Sequence, residues 1–419
     1  MAQSGSPNSP KNSDLKNNLN DNDKVNAGDA KNSNISNLST KSYVLLAPGP
    51  VSLHPAVREV LAEPMIHHRT PLFDSILKKV LLGLRQVFST QQPVMMFSST
   101  GSGAMEAALV NVVSPGEKVL CIVSGKFGER WAEMAKVFGC DVLIHKVAWG
   151  EAVRCDDVAQ ILKQNLDIKV ILCQACETST GVVHPIRELA QLTRPMETLL
   201  LVDGITAVGA FPLPMDEWGI DGLVAGSQKA FMLPTGLSFL AFSEKAWRRI
   251  ESAKATRYYF DVRKEKSANE KGETFYSSNV SLIKALAVVL ELWQSRGYDE
   301  HYAELRQRAQ WTRDLILKLG LKNYTQYPSD SLSVLVLPSS IDGQKLREWL
   351  EINENLTVMG GQDQVKGKIL RIGHMGYLTR ADHLQLAAAL HRGLSEFGFS
   401  PEVSESELLS WADSHWGGE

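Results

Sequence analysis

The sequence predicts an α/β protein: a large domain with a mainly parallel, seven-stranded sheet between helices, followed by a small C-terminal α+β domain. Three observations predict this fold. From residue 94 onward, short apolar runs alternate with helix-like segments. Several of these runs are apolar at both odd and even positions, as expected for strands that are covered on both faces. Beyond residue 280 the pattern changes to long helices with two isolated strand-like runs.

Seven apolar runs are predicted as the strands of the large sheet, at residues 94–97, 119–123, 141–145, 170–175, 198–202, 222–225 and 237–242. Helices are predicted at 103–113, which is followed by a Ser-Pro-Gly turn, and at 129–138. The last run, 237–242, follows the preceding loop after only a short turn, which favours an antiparallel addition to the sheet.

The region after residue 280 is predicted to alternate helices and strands over a shorter length. Helices are expected at 280–295, 302–319, 343–353 and 380–397, and strands at 333–337 and 369–372. The predicted organisation is therefore a disordered tail (1–41), an N-terminal segment (42–65), a large domain (66–295), a small domain (296–400) and a C-terminal tail (401–419).

The first 41 residues have a different composition from the rest of the chain. They are rich in Asn, Ser, Lys and Asp and contain no aromatic residue. Such a segment cannot bury enough apolar surface to offset the entropy of ordering it. It also has neither the apolar stretch of a secretory signal nor the Arg-rich pattern of a transit peptide.

The overall composition is typical of an enzyme in a reducing compartment. The chain is 44% hydrophobic and 22% charged, with a formal net charge of −3 and no basic stripe, which argues against a nucleic-acid partner. No run approaches the roughly 20 apolar residues of a membrane span. Five cysteines, all at or before position 176, favour free thiols and a cytoplasmic location, and no metal site is predicted.

A glycine- and serine-rich stretch follows the first predicted strand. Residues 98–106 read SSTGSGAME and open a helix. Free backbone N–H groups and the positive end of the helix dipole would make this stretch an anion cradle suited to phosphate. A simple N-cap with flexible glycines explains the same pattern equally well, because short glycine motifs are weak signals.

Three charged residues lie at or near the ends of apolar strands, where ligands bind in open α/β sheets. Asp203 ends the run LLLVD and could pair with a cationic ring nitrogen or merely turn the chain. Lys229 follows the run ending at Gly226; in a shielded site its pKa would fall, which would make its amine a competent nucleophile. Arg371 lies between aliphatic residues, and its fork suits a carboxylate.

Taken together, these motifs resemble the class V aminotransferases, which are fold-type I pyridoxal-phosphate enzymes. The resemblance runs from LAPGP at 46–50 and HHRT at 67–70 to the C-terminal helix. It includes TGSG at 100–103, ETSTG at 177–181, DGIT at 203–206, SQK at 227–229 and RIG at 371–373. The sequence is most similar to the alanine/serine–glyoxylate aminotransferase branch and to cyanobacterial proteins labelled soluble hydrogenase small subunit. Cys173 and Cys176, the only C-x-x-C pair, are too few to ligate an iron–sulfur cluster.

The resemblance implies pyridoxal 5'-phosphate as cofactor and gives each matching residue a role. Lys229 would form the Schiff base with the cofactor and move the proton, and Asp203 would keep the pyridine nitrogen protonated. The phosphate would be bound by Thr100, Gly101, Ser102 and Gln228. Phe127 and Ile205 would stack on the two faces of the ring, and the Thr178 hydroxyl would lie near the phenolic oxygen. Arg371 would bind the substrate α-carboxylate.

The resemblance also implies a homodimer in which Ser277 reaches the phosphate of the neighbouring subunit. Two departures from the family pattern affect the amino donor. Ala47 replaces a common glycine near the expected substrate carboxylate, and the stretch YSSN at 276–279 lacks the usual proline. The implied reaction is transamination of a small amino acid (alanine or serine) with a 2-oxo acid such as glyoxylate or pyruvate.

Other functions stay open at this point. A cysteine desulfurase of the same fold is disfavoured, because no cysteine follows Cys176 and Gln228 precedes the lysine. A lyase or decarboxylase remains possible, because the sequence does not reveal which Cα bond would align with the ring. A non-catalytic nucleotide-binding protein would need a G-x-G-x-x-G motif, but Glu106 stands where the third glycine should be.

Overall fold

The computed structural model describes residues 43–416, so the predicted disordered tail at 1–41 lies outside the described residues. The strands within this range are β1 (Val44–Leu45), β2 (Val94–Phe97), β3 (Lys118–Val123), β4 (Asp141–Lys146), β5 (Ile168–Gln174), β6 (Cys176–Glu177), β7 (Val182–Val183), β8 (Leu199–Asp203), β9 (Gly222–Gly226), β10 (Ser238–Phe242), β11 (Lys322–Asn323), β12 (Leu332–Val336), β13 (Leu356–Thr357), β14 (Met359–Gly360) and β15 (Ile369–Gly373).

The helices of the same range include all those predicted from the sequence and several that were not. They are α1 (Pro55–Leu61), α2 (Pro71–Phe88), α3 (Gly101–Val112), α4 (Lys126–Val137), α5 (Cys155–Gln164), α6 (Ile186–Thr193), α7 (Met215–Trp218), α8 (Glu244–Ser252), α9 (Val262–Asn269), α10 (Val280–Arg296), α11 (Tyr298–Lys318), α12 (Gly343–Glu354), α13 (Arg380–Glu396) and α14 (Glu405–Ser414). Between residues 43 and 416, no helix is both long and apolar enough to cross a bilayer.

The large sheet has seven strands in the order β2-β10-β9-β8-β5-β3-β4. Strand β10 is antiparallel to both of its neighbours, and the other six strands run in one direction. The predicted α/β class and the antiparallel addition are therefore confirmed. Asp203 is level with Gln174 on one side and Val224 on the other, so the carboxyl ends of β5, β8 and β9 meet at one edge.

Strand β8 shows why these strands are apolar on both faces. Leu200 and Val202 belong to one hydrophobic core and Leu199 and Leu201 to another, one on each side of the sheet. All five residues of the strand are buried. Because both faces pack against helices, every position except the terminal Asp203 is aliphatic.

A second sheet of four antiparallel strands, in the order β11-β12-β15-β14, forms the C-terminal region. Arg371 lies in the inner strand β15, level with Val334 and Met359. The N-terminal segment joins this region: β1 pairs with β13, and the Gly373 amide donates to the Leu46 carbonyl at 2.7 Å. The domain ranges stated above remain a proposal.

Helix α14 lies where the sequence analysis expects only a tail. Its first turn is closed by a capping box in which the side chains of Ser404 and Glu407 each accept the other residue's backbone N–H. Trp311 donates its indole N–H to the Ala412 carbonyl at 3.0 Å, which fixes the helix against α11. The Ser-x-x-Glu spacing at 404–407 was the signal that could have predicted this helix.

Candidate active site

Lys229 lies three residues beyond β9, at the edge where the parallel strands end. Its Nζ donates to the Pro48 carbonyl at 2.8 Å, so the N-terminal segment contacts the amine directly. Burial, together with the charge of Arg371, lowers the pKa of Lys229 to about 8. A substantial fraction of this amine is therefore neutral near physiological pH, which is the form that attacks a carbonyl carbon.

Gly49 makes the close approach of this segment possible. A Cβ at residue 49 would lie 2.4 Å from Lys229 Cδ and 2.6 Å from its Nζ. The residue also has a φ of +124°, a conformation that side chains rarely adopt. Only glycine fits here, and any other residue would displace the lysine.

Asp203 ends β8 and is 5% exposed. Its Oδ1 accepts the Ile205 backbone N–H at 2.9 Å, the only hydrogen bond to this carboxylate from the described residues. Burial raises the pKa of Asp203 to about 7, against the opposing effects of that hydrogen bond and of the Lys229 charge. A buried carboxylate with so few partners can accept a further N–H, especially a cationic one.

The first turn of α3 is the predicted anion cradle. Thr100 occupies the N-cap position, but its side chain makes no capping hydrogen bond. The backbone N–H groups of Gly101 and Ser102 donate to no acceptor among residues 43–416, so they remain available to an anion. A Cβ at Gly101 would lie 2.6 Å from Ile205 Cδ1, so Ile205 packs directly against the cradle.

Phe127 lies in the first turn of α4, which begins beside α3. Arg130, one helical turn later, has its Cζ 4.9 Å from the centre of the Phe127 ring. The same guanidinium donates to Ser102 Oγ at 3.4 Å. Arg130 thus joins the aromatic ring to the anion cradle, although the sequence analysis gives it no role.

Thr178 and Arg371 meet between the two sheets. Thr178 Oγ1 lies 2.6 Å from Thr206 Oγ1, and the Thr178 carbonyl accepts from Arg371 Nη1 at 3.1 Å. Arg371 also donates from Nε to the Gly360 carbonyl at 3.0 Å. Burial lowers the pKa of Arg371 to about 10, so the guanidinium is still charged at neutral pH.

The remaining predicted residues differ in how close they lie to this group. Gln228 precedes the lysine, and its Oε1 is buried without a hydrogen-bond partner among the described residues. Ala47 is buried, and a Cβ at Gly373 would lie 2.2 Å from its carbonyl oxygen. Ser277 is exposed in the loop before α10, and its side chain forms no hydrogen bond with another described residue.

Glu177 is the residue that the sequence analysis quoted in a motif but did not interpret. Its carboxylate is fully buried and accepts the backbone N–H groups of Phe127 and Gly128. The contact between this buried glutamate and the glycine-rich start of α4 can be recognised only in the folded structure, where the two segments are adjacent. Nothing in their sequence separation of about 50 residues indicates this contact.

The cysteines of this chain form no metal site with other side chains of the described residues. All five cysteines are free, and Cys173 and Cys176 are buried. Burial raises the pKa of Cys176 to about 12, which keeps the thiol protonated and unreactive. Across residues 43–416, no cluster of His, Cys, Asp or Glu side chains has an arrangement that could hold a metal ion.

Comparison with known proteins agrees with the resemblance seen in the sequence. The family model described as aminotransferase class V matches residues 57–382. The chain is 34% identical to an L-aspartate–glyoxylate aminotransferase of Paracoccus denitrificans, over 90% of this chain and 97% of that protein. It is 32% identical to the soluble hydrogenase 42 kDa subunit of Anabaena cylindrica, over 85% and 94% of the two chains.

Among solved structures, an alanine–glyoxylate aminotransferase from Nostoc sp. superposes with a TM-score of 0.82. It is 29% identical, and the match covers 85% of this chain and 97% of the other. The family match spans more than half of the chain, and the relatives match over nearly their whole length. This chain belongs to the class V aminotransferase family.

Proposed function

We propose that this aminotransferase binds pyridoxal 5'-phosphate at Lys229 and transfers the amino group of a small amino acid to a 2-oxo acid such as glyoxylate or pyruvate. The pairing of Lys229 with Asp203 carries the proposal. They lie at the ends of the neighbouring strands β9 and β8, with pKa values near 8 and 7. Such paired shifts toward neutrality are typical of catalytic groups.

The residues present fit the three chemical parts of this cofactor. An aldehyde requires a primary amine that is partly neutral, which Lys229 supplies. A pyridine nitrogen requires a carboxylate with a free acceptor, which Asp203 supplies. A phosphate requires free N–H groups, which the uncapped first turn of α3 supplies. When bound, pyridoxal phosphate provides an electron sink for the substrate α-carbon.

The chain's own residues would then divide the remaining work. Lys229 Nζ would take the proton from the substrate α-carbon and deliver it to the cofactor, and the Asp203 carboxylate would hold the protonated pyridine nitrogen. Phe127 and Ile205 would lie on opposite faces of the ring. Thr178 Oγ1 would contact the phenolic oxygen, and Gln228 the phosphate, together with Thr100, Gly101 and Ser102.

Arg371 is proposed to bind the substrate carboxylate, with Ala47 nearby. Its Nε and Nη1 already hold backbone carbonyls, which fixes the plane of the guanidinium before a substrate arrives. Glyoxylate is the proposed acceptor because it is named in both the Paracoccus relative and the Nostoc structure. Alanine or serine is the proposed donor, and aspartate, named in the Paracoccus relative, must be tested beside them.

The assembly and location of the protein are part of the same proposal. A homodimer would cover the exposed Phe275 and Tyr258 near Ser277, which are 41% and 74% exposed in the single chain. Ser277 would then reach the cofactor phosphate of its partner. A cytoplasmic location is proposed because all five thiols are free.

The test is a titration of the purified protein with pyridoxal phosphate, followed by a donor and acceptor panel. We expect an absorbance band above about 400 nm that Lys229→Ala abolishes, and stoichiometric conversion of glyoxylate to glycine with alanine or serine. Release of CO₂, or of a substrate fragment without amino transfer, would instead support the lyase alternative. A protein that stays colourless with added cofactor would refute the proposal.

A further inference from the structure

The Glu177 carboxylate accepts hydrogen bonds from two different segments of the chain. Oε2 accepts the backbone N–H of Phe127 at 3.1 Å and that of Gly128 at 3.0 Å. Oε1 accepts from the Ser179 N–H at 3.1 Å and from Ser179 Oγ at 2.6 Å. The carboxylate therefore binds the start of α4 on one side and its own turn on the other.

Such an arrangement compensates a costly burial. The side chain has no exposed surface, and burial raises the pKa of Glu177, while these hydrogen bonds act in the opposite direction. The positive end of α4 also favours a negative charge at this place. Burying a carboxylate without partners is costly, and the donors from the first turn of α4 and from Ser179 offset that cost.

The segment held by Glu177 is the one that carries the predicted stacking residue. A Cβ at Gly125 would lie 2.6 Å from Glu177 Cδ and 2.3 Å from Ser179 Oγ, so the backbone before Phe127 rests directly on these side chains. On its other side, the Phe127 ring is covered by Arg130. The position of the ring is thus set from the backbone side by Glu177.

We propose that Glu177 is a positioning residue that places the Phe127 ring against the cofactor and thereby sets cofactor affinity. This inference rests on the proposed function, since it requires pyridoxal phosphate to bind at Lys229. The carbonyl of the next residue, Thr178, accepts a hydrogen bond from Arg371. One short segment therefore orients both the aromatic ring and the guanidinium.

The test is a double-mutant cycle on cofactor affinity with Glu177→Gln and Phe127→Leu. The amide of Gln offers one acceptor oxygen, so it can satisfy either the α4 side or the Ser179 side but not both. We expect each single variant to raise the Kd for pyridoxal phosphate about tenfold, and the double variant to be no weaker than the weaker single variant. Kd is measured by equilibrium titration of the absorbance band.

Asp221→Asn is the matched control. Asp221 is also buried and accepts a backbone N–H, from Leu200 at 3.0 Å, but it lies at the opposite end of the strands. We expect this variant to lower the melting temperature at least as much as Glu177→Gln while leaving the cofactor Kd unchanged. An equal rise in Kd for both variants would show that the effect is general destabilisation and would overturn the proposal.

Additive effects of Glu177→Gln and Phe127→Leu, or an unchanged Kd in Glu177→Gln, would also overturn it. If Glu177→Gln does not fold, Ser179→Ala removes one donor to the same carboxylate, and we expect a smaller rise in Kd that Phe127→Leu again abolishes. A wild-type protein that binds no pyridoxal phosphate would refute the proposed function instead, so the two failures are distinguishable.

Discussion

An aspartate and a lysine lie near each end of the neighbouring strands β8 and β9, and the surroundings of the two pairs differ. The pair at the amino end is Asp221 with Lys245 of α8, and the pair at the carboxyl end is Asp203 with Lys229. At the amino end of β9, Asp221 accepts from Leu200 N at 3.0 Å and Ser243 Oγ at 2.8 Å, and pairs with Lys245 at 3.1 Å. At the carboxyl end, Asp203 accepts only the Ile205 N–H from the described residues and forms no ion pair with Lys229.

The difference separates a structural pair from the pair that we propose to be functional. Lys245 also donates to the Thr198 carbonyl at 2.8 Å, so the amino-end pair is fully engaged within the protein. The carboxyl-end pair instead has its pKa values moved toward neutrality, to about 7 for Asp203 and about 8 for Lys229. Buried charged groups with so few hydrogen-bond partners cost stability and are retained where a ligand completes their contacts.

The largest expected effect comes from exchanging the two lysines for alanine, one at a time. Lys229→Ala should lower kcat by about four orders of magnitude or more, because the variant lacks the amine proposed to hold the cofactor and move the proton. Lys245→Ala should retain kcat per folded molecule and lower the free energy of unfolding by about 3 kcal/mol, because Asp221 is left buried without its cation. Steady-state kinetics and urea unfolding measure the two effects. Comparable kinetic losses in both variants would break the comparison.

The aspartates sharpen the comparison with the next largest effect. Asp203→Asn should lower kcat by about 10²- to 10³-fold, because an amide cannot hold a cationic ring nitrogen. Asp221→Asn should act mainly on stability. Near-normal turnover in Asp203→Asn would identify a different carboxylate as the ring partner.

The pH dependence of apoprotein stability tests the same contrast without catalysis. The folded-state pKa of Asp203 is raised from 3.8 to about 7, so the folded protein binds more protons than the unfolded one between these values. Wild-type stability relative to Asp203→Asn should therefore fall by about 2 kcal/mol as the pH rises from 5 to 7. Above pH 8, the lowered pKa of Lys229 acts with the opposite sign. Urea unfolding of both apoproteins at pH 5 and 7 measures the change, and a constant difference would contradict it.

The smallest expected effect comes from changing Arg371, whose guanidinium is contributed by the second sheet to the site at the carboxyl ends of β8 and β9. Arg371→Lys should raise KM for both the amino acid and the 2-oxo acid about tenfold with a smaller change in kcat, because a point charge cannot replace a bidentate donor. Arg313→Lys, a partly buried arginine of α11, is the matched control, and its KM values should stay normal. Unchanged KM values in Arg371→Lys would move the carboxylate site elsewhere.

Much of this site was predictable because its residues stand at the ends of recognisable strands. Asp203, Lys229 and the Thr100–Ser102 stretch each follow an apolar run, and parallel strands bring such positions to one edge. The contact between Pro48 and Lys229 was not predictable in geometry, because it joins residues separated by 181 positions. The same holds for Glu177, whose partners at the start of α4 lie in a different strand–helix unit.

The sequence by itself determined the alternation of strands and helices, the antiparallel run near residue 240 and the residue types at the strand ends. Local patterns of burial and turn chemistry are sufficient for these features. Only the tertiary structure decided how the two similar Asp–Lys pairs differ. Asp221 and Lys245 are fully hydrogen-bonded within the protein, whereas Asp203 and Lys229 keep unused hydrogen-bonding capacity. That outcome depends on neighbours from distant segments, because burial and hydrogen bonding are properties of the folded surroundings and not of the residue alone.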